Sequence, residues 1–253
     1  MSKMLSIAKY EYRMQVKRIA GWIVLLFVLA SSMMDCLPVA SNLARIEFLG
    51  DINYYVRRVF SFDGLLLLFG ILFLTAGRMA DDRKTHRRDL FMAAPIRKSS
   101  YIGGKFIGNF LFALTLMYAL LVVSIAGFAV FSSSGTTVWE HISAVISVSV
   151  CIILPATFFV VASSVMLPEL VDIRLVYLVY SVLFLINAFT TDQAEPIPFY
   201  IFTQGDLAKL IWQHPKYLQI HVGNACLNLA FMIGIGILAI GLVTGKRRFW
   251  RAE

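Results

Sequence analysis

Long apolar stretches alternate with short, highly charged stretches along the whole chain. Six apolar segments each approach the roughly 20 residues that an α-helix needs to cross the core of a bilayer. They cover residues 20–41, 61–80, 106–131, 142–167, 173–190 and 220–244. Backbone amides in hydrocarbon must be paired within their own segment, so stretches of this kind form helices. The pattern predicts an all-α integral membrane protein in which residues 20–253 form one domain of six transmembrane helices.

The first 19 residues show a different pattern, in which apolar and basic positions recur at helical spacing. They form two neighbouring faces, one apolar and one basic: Leu5, Ala8, Tyr12, Val16 and Ile19, and Lys9, Arg13 and Lys17. This arrangement is typical of an amphipathic helix that lies in the membrane interface. A signal peptide is the alternative, but the charged region is long and no A-x-A-like cleavage site follows the apolar stretch.

Composition and charge support a membrane protein and indicate its orientation. Of the 253 residues, 59% are hydrophobic and 15% are charged, whereas soluble domains carry about 25% charged residues. Eighteen of the 23 Lys and Arg residues lie at the two termini, around the loop at 81–105 and beside the short fourth-to-fifth loop. The positive-inside rule places these regions in the cytoplasm. We attribute the net charge of +8 to topology and contact with anionic lipids, and not to nucleic-acid binding.

The connection between the fifth and sixth segments, residues 191–219, is expected on the outer side and is longer than a hairpin needs. A helix is predicted to start with Asp206 as its N-cap and to end before Pro215. The apolar residues Phe199, Tyr200 and Phe202 are candidates for an outer gate that re-enters the membrane between neighbouring helices. A surface helix on the outer leaflet is an equal alternative.

Polar and small residues inside the apolar segments suggest further features. The translocation-path candidates are Asn187, His221, Asn224 and Asn228, and polar contact between helices is the alternative. Two acidic residues, Asp35 and Asp63, lie near the outer ends of their segments, where we expect hydration; ion or substrate binding is the alternative. A kink is expected at Pro155. Close packing is expected along small residues of the sixth segment: Ala230, Gly234, Gly241 and Gly245.

The sequence carries no recognisable enzyme or metal motif. Cys36, Cys151 and Cys226 lie in apolar segments without CxxC spacing, and the four histidines are scattered. No GxSxG or HExxH pattern occurs, and no Walker A motif occurs, so any ATP hydrolysis must belong to another chain.

The loop at 81–105 has a distinctive order of elements. Asp81-Asp82 begins a charged stretch, the segment Leu90–Ala94 runs into Pro95-Ile96-Arg97, and Gly104-Lys105 precedes the third span. In this order and topology the chain resembles, over essentially its whole length, the permease subunit of type-2 ATP-binding-cassette (ABC) exporters. Lys9-Tyr10-Glu11 is similar to the connecting helix of that family. The chain departs from the family where Asp82 stands in place of the usual Glu.

The composition of the loop itself indicates a docking element. Pro95 is expected to end a helix that begins near Asp82, with Leu90 and Phe91 exposed at its tip. An exposed apolar pair rimmed by charge is typical of a partner-binding surface. The alternative is that the loop covers the membrane surface while its cations bind lipid phosphates.

The resemblance implies that this loop is the coupling helix, which sits in a groove of a cytosolic nucleotide-binding ATPase. The docking residues would be Asp81, Asp82, Arg87, Arg88, Leu90, Phe91, Pro95 and Arg97. ATP and Mg²⁺ would bind the partner chain, with no cofactor in this one. The resemblance also implies a second, identical or related permease, an amphiphilic substrate (drug, antimicrobial peptide or lipid), and the bacterial cytoplasmic membrane. Alternative functions are an ion- or proton-coupled secondary carrier and an intramembrane enzyme.

Overall fold

The computed structural model describes residues 3–93, 96–132, 135–189, 206–212 and 222–245. All regular secondary structure in these ranges is helical. The α-helices are α1 (Lys3–Val16), α2 (Ile19–Asp35), α3 (Ala40–Arg45), α4 (Ile52–Thr75), α5 (Arg78–Lys84), α6 (Arg87–Ala93), α7 (Lys98–Phe131), α8 (Val138–Val148), α9 (Leu154–Met166), α10 (Ile173–Phe189), α11 (Asp206–Lys209) and α12 (Val222–Gly245). Short 3₁₀ turns span Glu47–Gly50 and Leu167–Glu169, and a π-helical turn, Ser149–Ile153, joins α8 to α9.

Among the described residues, four continuous helical stretches are long and apolar enough to cross a membrane: Ile52–Lys84, Lys98–Phe131, Val138–Glu169 and Val222–Gly245. The pair α1 and α2 is a fifth candidate, although a 60° bend separates the two helices. Helix α10 is also apolar but has only 17 residues. The chain is therefore an all-α, multi-pass membrane protein, and the count of six spans stays a prediction.

Helix α4 forms the centre of the bundle, with α2, α7, α8, α9 and α10 packed against it. Of the 18 most apolar consecutive residues in the stretch Ile52–Lys84, which contains α4, 67% are buried, compared with 28% for the corresponding residues of α12. The outward faces of α2, α10 and α12 carry large exposed apolar side chains such as Phe27, Leu178 and Leu238, which suits contact with lipid.

The beginnings of α4 and α7 differ from the beginnings of the corresponding apolar segments, and at α4 a side-chain cap sets where the helix begins. Helix α4 starts at Ile52, where the side chain of Asp51 accepts hydrogen bonds from the backbone N–H groups of Asn53 (2.8 Å) and Tyr54 (3.4 Å). These bonds satisfy donors that have no partner within the helix. Helix α7 starts at Lys98, inside the predicted loop, without a side-chain cap from Arg97.

One packing prediction needs correction, on the small residues of α12, and the kink at Pro155 stays a prediction. Pro155 follows the π-helical turn Ser149–Ile153, so the helix widens locally where the proline ring would crowd the preceding turn. In α12 the glycine in close contact is Gly236, where an added Cβ would lie 2.4 Å from the ring of Phe158. Three of the four predicted small residues, Gly234, Gly241 and Gly245, have nothing within 4 Å of such a Cβ; they face away from the described parts of the bundle.

The charged loop after α4 is also different from its prediction. A single helix from near Asp82 to Pro95 is wrong, because the chain breaks between α5 and α6 at Thr85 and His86. His86 adopts a positive φ of 54°, which cannot continue a right-handed helix. The loop is therefore a pair of short helices; Pro95 lies outside the described residues.

Candidate functional site

Helices α1 and α7 cross at two glycines that are one helical turn apart. A Cβ on Gly104 would lie 2.7 Å from the Cβ of Ile7, and a Cβ on Gly108 would lie 2.5 Å from the Cβ of Glu11. Only glycine permits such a close approach of the two backbones, and a G-x-x-x-G spacing is typical of close helix contacts. The contact brings Glu11 next to Lys105, the residue that follows Gly104.

The face of α1 that packs against the protein differs from the apolar face that the sequence predicts to lie on the membrane, and the interfacial position of α1 stays a prediction. Ile7, Ala8, Glu11 and Gln15 are buried, whereas Ile19, at the start of α2, is 73% exposed. Ala8 is common to the predicted and the observed face. The polar residues Glu11 and Gln15 are on the inner side because α7 offers them polar partners there.

Four charged side chains form a buried cluster between α1, α5 and α7, hereafter the charge cluster: Glu11, Arg78, Asp82 and Lys105. The ammonium group of Lys105 contacts Oε1 of Glu11 and Oδ2 of Asp82, and Nη2 of Arg78 lies 3.4 Å from Oε2 of Glu11. None of the four is more than 7% exposed. Two anions and two cations balance, and this mutual pairing offsets the removal of each charge from water.

Hydrogen bonds extend the charge cluster along α7. The Tyr101 hydroxyl donates to Oδ2 of Asp82 (2.7 Å), and the Tyr101 ring lies 5.2 Å from that of Phe91 on α6. On the other side, Nε2 of Gln15 donates to Oδ1 of Asn109 (2.6 Å), and Nδ2 of Asn109 donates to the carbonyl of Lys105 (2.8 Å). The network therefore joins α1, α5, α6 and α7.

A cavity of about 260 Å³ opens beside the charge cluster, between α1 and α6. Its lining combines charged and apolar side chains: Tyr10, Glu11, Met14, Asp82, Arg87, Leu90, Phe91 and Lys105. Such a lining can receive a side chain that has an apolar body and a polar end.

The predicted docking residues divide into an exposed and a buried set. Asp81, Arg87, Leu90 and Arg97 are exposed, while Asp82 and Arg88 are buried and Phe91 is half-buried. Leu90 is 73% exposed, whereas Phe91 turns inward onto Tyr101, so the expected apolar pair is split. The carboxylate of Asp82 already binds Lys105 and Tyr101 within the chain.

The translocation-path candidates occupy separate helix contacts. Asn187 on α10 and Asn228 on α12 are both buried, and Asn224 is half-buried. Helix α10 packs against α4, whereas α12 packs against α9, so the two buried asparagines do not share one helix pair. His221 and the outer-gate candidates Phe199, Tyr200 and Phe202 lie outside the described residues.

The two acidic residues near the outer ends of the first and second apolar segments, Asp35 and Asp63, have different environments. Asp35 is exposed, which agrees with the expected hydration. Its Oδ1 pairs with Nη2 of Arg45 at 3.1 Å. Asp63 is only 5% exposed, so it lies away from the outer surface, and its hydration stays a prediction. The thiol of Cys36 approaches Oδ2 of Asp63 at 3.7 Å.

The segment 206–212 packs against the beginning of α4. A one-turn helix, Asp206–Lys209, occurs where one was predicted; the residue before it lies outside the described residues, so Asp206 as an N-cap stays a prediction. Nε1 of Trp212 donates to Oδ2 of Asp51 at 3.0 Å, and its ring lies 4.8 Å from that of Tyr54. Asp51 therefore both caps α4 and holds this segment.

Sequence reasoning missed the charge cluster as a unit. Arg78 was counted only among the cations around the loop, and Lys105 and Glu11 were noted only as loop or motif residues of the family resemblance. The available signal was the pair Gly104 and Gly108 flanking a lysine, since a charge on a closely packed helix face needs a buried partner.

No protein-family model matches the chain, and no curated protein or solved structure is significantly similar to it. Within the described residues, no group of three or more His, Cys, Asp or Glu side chains could hold a metal ion. Function is therefore inferred from the chain's own residues.

Proposed function

We propose that the chain is the membrane permease subunit of an ATP-driven ABC exporter that moves an amphiphilic drug, peptide or lipid outward. It would lie in the bacterial cytoplasmic membrane with both termini in the cytoplasm. A separate cytosolic ATPase would bind ATP and Mg²⁺, and a second, identical or related permease would complete the path. This chain would supply no catalytic group.

The observation that carries the proposal is the exposure of Leu90 on α6. Its side chain is 73% exposed, and the exposed Arg87 lies one helical turn before it. An isolated apolar side chain with charged neighbours, above a cavity of about 260 Å³, has the features of an anchor for a protein partner. In the proposed topology this surface faces the cytosol, where the ATPase would be.

The charge cluster supports a mechanical role for the same surface. Asp82 on α5 pairs with Lys105 on α7, and Arg78 on α5 pairs with Glu11 on α1. Separating buried ion pairs is strongly unfavourable, so α5 should move together with α1 and the adjacent end of α7. A displacement of α6 by the ATPase would then reach the spanning part of α7 and would not be absorbed by a flexible loop.

Co-purification tests this proposal. The tagged chain, isolated from its native membranes, is expected to carry with it an ATPase that contains a Walker A motif. Leu90→Asp should reduce the bound ATPase at least about tenfold, since a charge would replace the apolar anchor. Val171→Asp is the matched control, because Val171 is an apolar residue, 42% exposed, in another predicted cytoplasmic loop. Failure to recover any ATPase with the wild-type chain, or equal loss in both variants, would contradict the proposal.

A second candidate, an ion- or proton-coupled carrier, is favoured by one observation. Asp63 is a buried carboxylate on α4, and carriers use such groups to bind ions within the membrane. The distinguishing experiment uses the purified chain in proteoliposomes with an imposed pH gradient and no nucleotide. Transport that is abolished by Asp63→Asn would establish the carrier and exclude the exporter.

A further inference from the structure

A second cavity, of about 380 Å³, lies between α2, α4 and α10. We call it the Asp63 cavity, and it is separate from the cavity beside the charge cluster. Its apolar walls are formed by Phe62, Leu65, Leu66, Phe184 and Ala188, and its polar lining by Ser31, Asp35, Cys36, Arg58 and Asp63. Its volume lies within the range of roughly 300–1,000 Å³ that is typical of small-molecule sites.

The carboxylate of Asp63 differs from the other buried carboxylates near a cavity. Glu11 and Asp82 each pair with a cation, whereas Asp63 has no cationic partner within 4 Å in the described part of the chain. It is bonded instead by neutral groups, the hydroxyls of Ser31 and Ser32 and the thiol of Cys36. A buried carboxylate without a cation retains a large unfavourable desolvation energy.

The other charges of the cavity are directed elsewhere. Asp35 is paired with Arg45 at 3.1 Å. The guanidinium of Arg58 lies over the Phe62 ring, 5.4 Å from its centroid, and bonds Cys36. The cation of this lining, Arg58, is therefore engaged by Phe62 and Cys36, and Asp63 is the acidic group of the lining that has no ion-pair partner within 4 Å among the described residues.

We infer that the Asp63 cavity binds organic cations, with the positive centre against the Asp63 carboxylate and the apolar groups against Leu66 and Phe184. This inference rests on the proposed function in one respect, since it names the substrate class that the exporter would move. The binding step itself requires neither ATP nor a partner chain.

Equilibrium binding of tetraphenylphosphonium to the purified chain in lipid nanodiscs tests this inference, with empty nanodiscs as the blank. Tetraphenylborate has the same shape and the opposite charge, so it separates recognition of charge from partition into lipid. The wild-type chain is expected to bind the phosphonium saturably and to leave the borate at the level of the blank. Asp63→Asn keeps a side chain that Ser31 and Ser32 can bond but removes the charge, and should weaken binding at least about tenfold.

Three further variants distinguish binding from a structural role. Asp63→Glu should retain saturable binding, and Leu66→Trp, which fills the cavity and keeps Asp63, should abolish it. Glu140→Gln removes a carboxylate from the start of α8, outside the cavity lining, and should bind like the wild type. The inference is overturned if Asp63→Asn and Leu66→Trp bind like the wild type, if the borate binds as well as the phosphonium, or if neither ion binds saturably. If Asp63→Asn does not fold, Asp63→Glu and Leu66→Trp decide the question alone.

The two proposals can fail separately. A negative binding result leaves the co-purification experiment unaffected, because no ATPase takes part in the binding assay. Equally, a chain that binds the phosphonium but recovers no ATPase would keep the cation site and lose the exporter.

Discussion

Lys105 of α7 and Glu11 of α1 form a buried ion pair although 94 residues separate them in the sequence. Each residue is only 1% exposed, and the pair lies where Gly104 and Gly108 allow the two helices to touch. Because Asp82 and Arg78 complete a neutral set, removal of one charge leaves an uncompensated charge in the protein interior. The stability of the α1–α7 contact should therefore depend on charge balance more than on any single side chain.

The first prediction concerns Lys105→Met. This change leaves Glu11 and Asp82 with only Arg78 to neutralise them, and should lower the free energy of unfolding by about 3–5 kcal/mol. The double variant Lys105→Met with Glu11→Leu should recover part of that loss, because Arg78 and Asp82 are four residues apart on α5 and can pair. Denaturant titration in detergent micelles measures both. The control is Lys84→Ala, an exposed residue; a loss as large as that of Lys105→Met would contradict the charge-balance explanation.

A second prediction concerns Gly108→Ala. The new methyl group would lie 2.5 Å from the Cβ of Glu11 and 2.7 Å from the carbonyl oxygen of Ala8. Since a backbone oxygen cannot move without displacing α1, we expect a loss of about 1–3 kcal/mol in the free energy of unfolding. Gly241→Ala is the matched control in α12, where an added Cβ meets nothing within 4 Å. Equal stability of the two variants would mean that α1 does not pack on Gly108.

The sequence predicted single helices better than it predicted contacts between helices. The segment 173–190 corresponds closely to α10 (Ile173–Phe189), because charges and polar residues flank a continuous apolar run. The contact between Glu11 and Lys105 could not be predicted in this way, since nothing local to either residue records a partner 94 positions away. Hydropathy likewise assigned Lys105 to a loop, although its helix starts at Lys98.

In the candidate sites, too, features that depend on neighbouring residues in the sequence were predicted, and features that depend on contacts between helices were not. Leu90 was predicted to be exposed from its charged surroundings, and it is exposed. Asp82 was expected on the same surface but is buried, because its carboxylate faces Lys105 and Tyr101 of α7. Asp63 was expected near the outer end of an apolar segment, and its hydrogen bonds to the hydroxyls of Ser31 and Ser32 on α2 could not be predicted from that position.

A third prediction concerns Trp212 and Asp51. Trp212→Phe keeps an aromatic ring against Tyr54 but removes the 3.0 Å hydrogen bond to Asp51, and should lower the free energy of unfolding by about 1 kcal/mol. Asp51→Ala loses this bond and the cap of α4, and should lower it by about 2 kcal/mol. The double variant should be less stable than Asp51→Ala only by the packing lost when the smaller Phe ring replaces the indole, since the two changes remove the same bond. Full additivity in this double-mutant cycle would argue against the bond.

The fourth prediction concerns the orientation of the chain in the membrane. Thr85, at the break between α5 and α6, and Gly135, after α7, are both exposed, and the apolar helix Lys98–Phe131 separates them. With Cys36, Cys151 and Cys226 replaced by serine, Thr85→Cys should react with a membrane-impermeant maleimide only in inside-out vesicles. Gly135→Cys should react only in intact cells, because the positive-inside rule retains the cation-rich end in the cytoplasm.

Each variant in this pair is the control for the other, since a leaky membrane would label both and an unfolded chain would label both from either side. Labelling of Thr85→Cys in intact cells would place α6 and Leu90 outside the cell, where no cytosolic ATPase could reach them. That outcome would contradict the exporter proposal at its first step, whatever the co-purification experiment recovered. It would leave the charge cluster intact as a structural feature, because the pairing of Glu11 with Lys105 does not depend on the side of the membrane it faces.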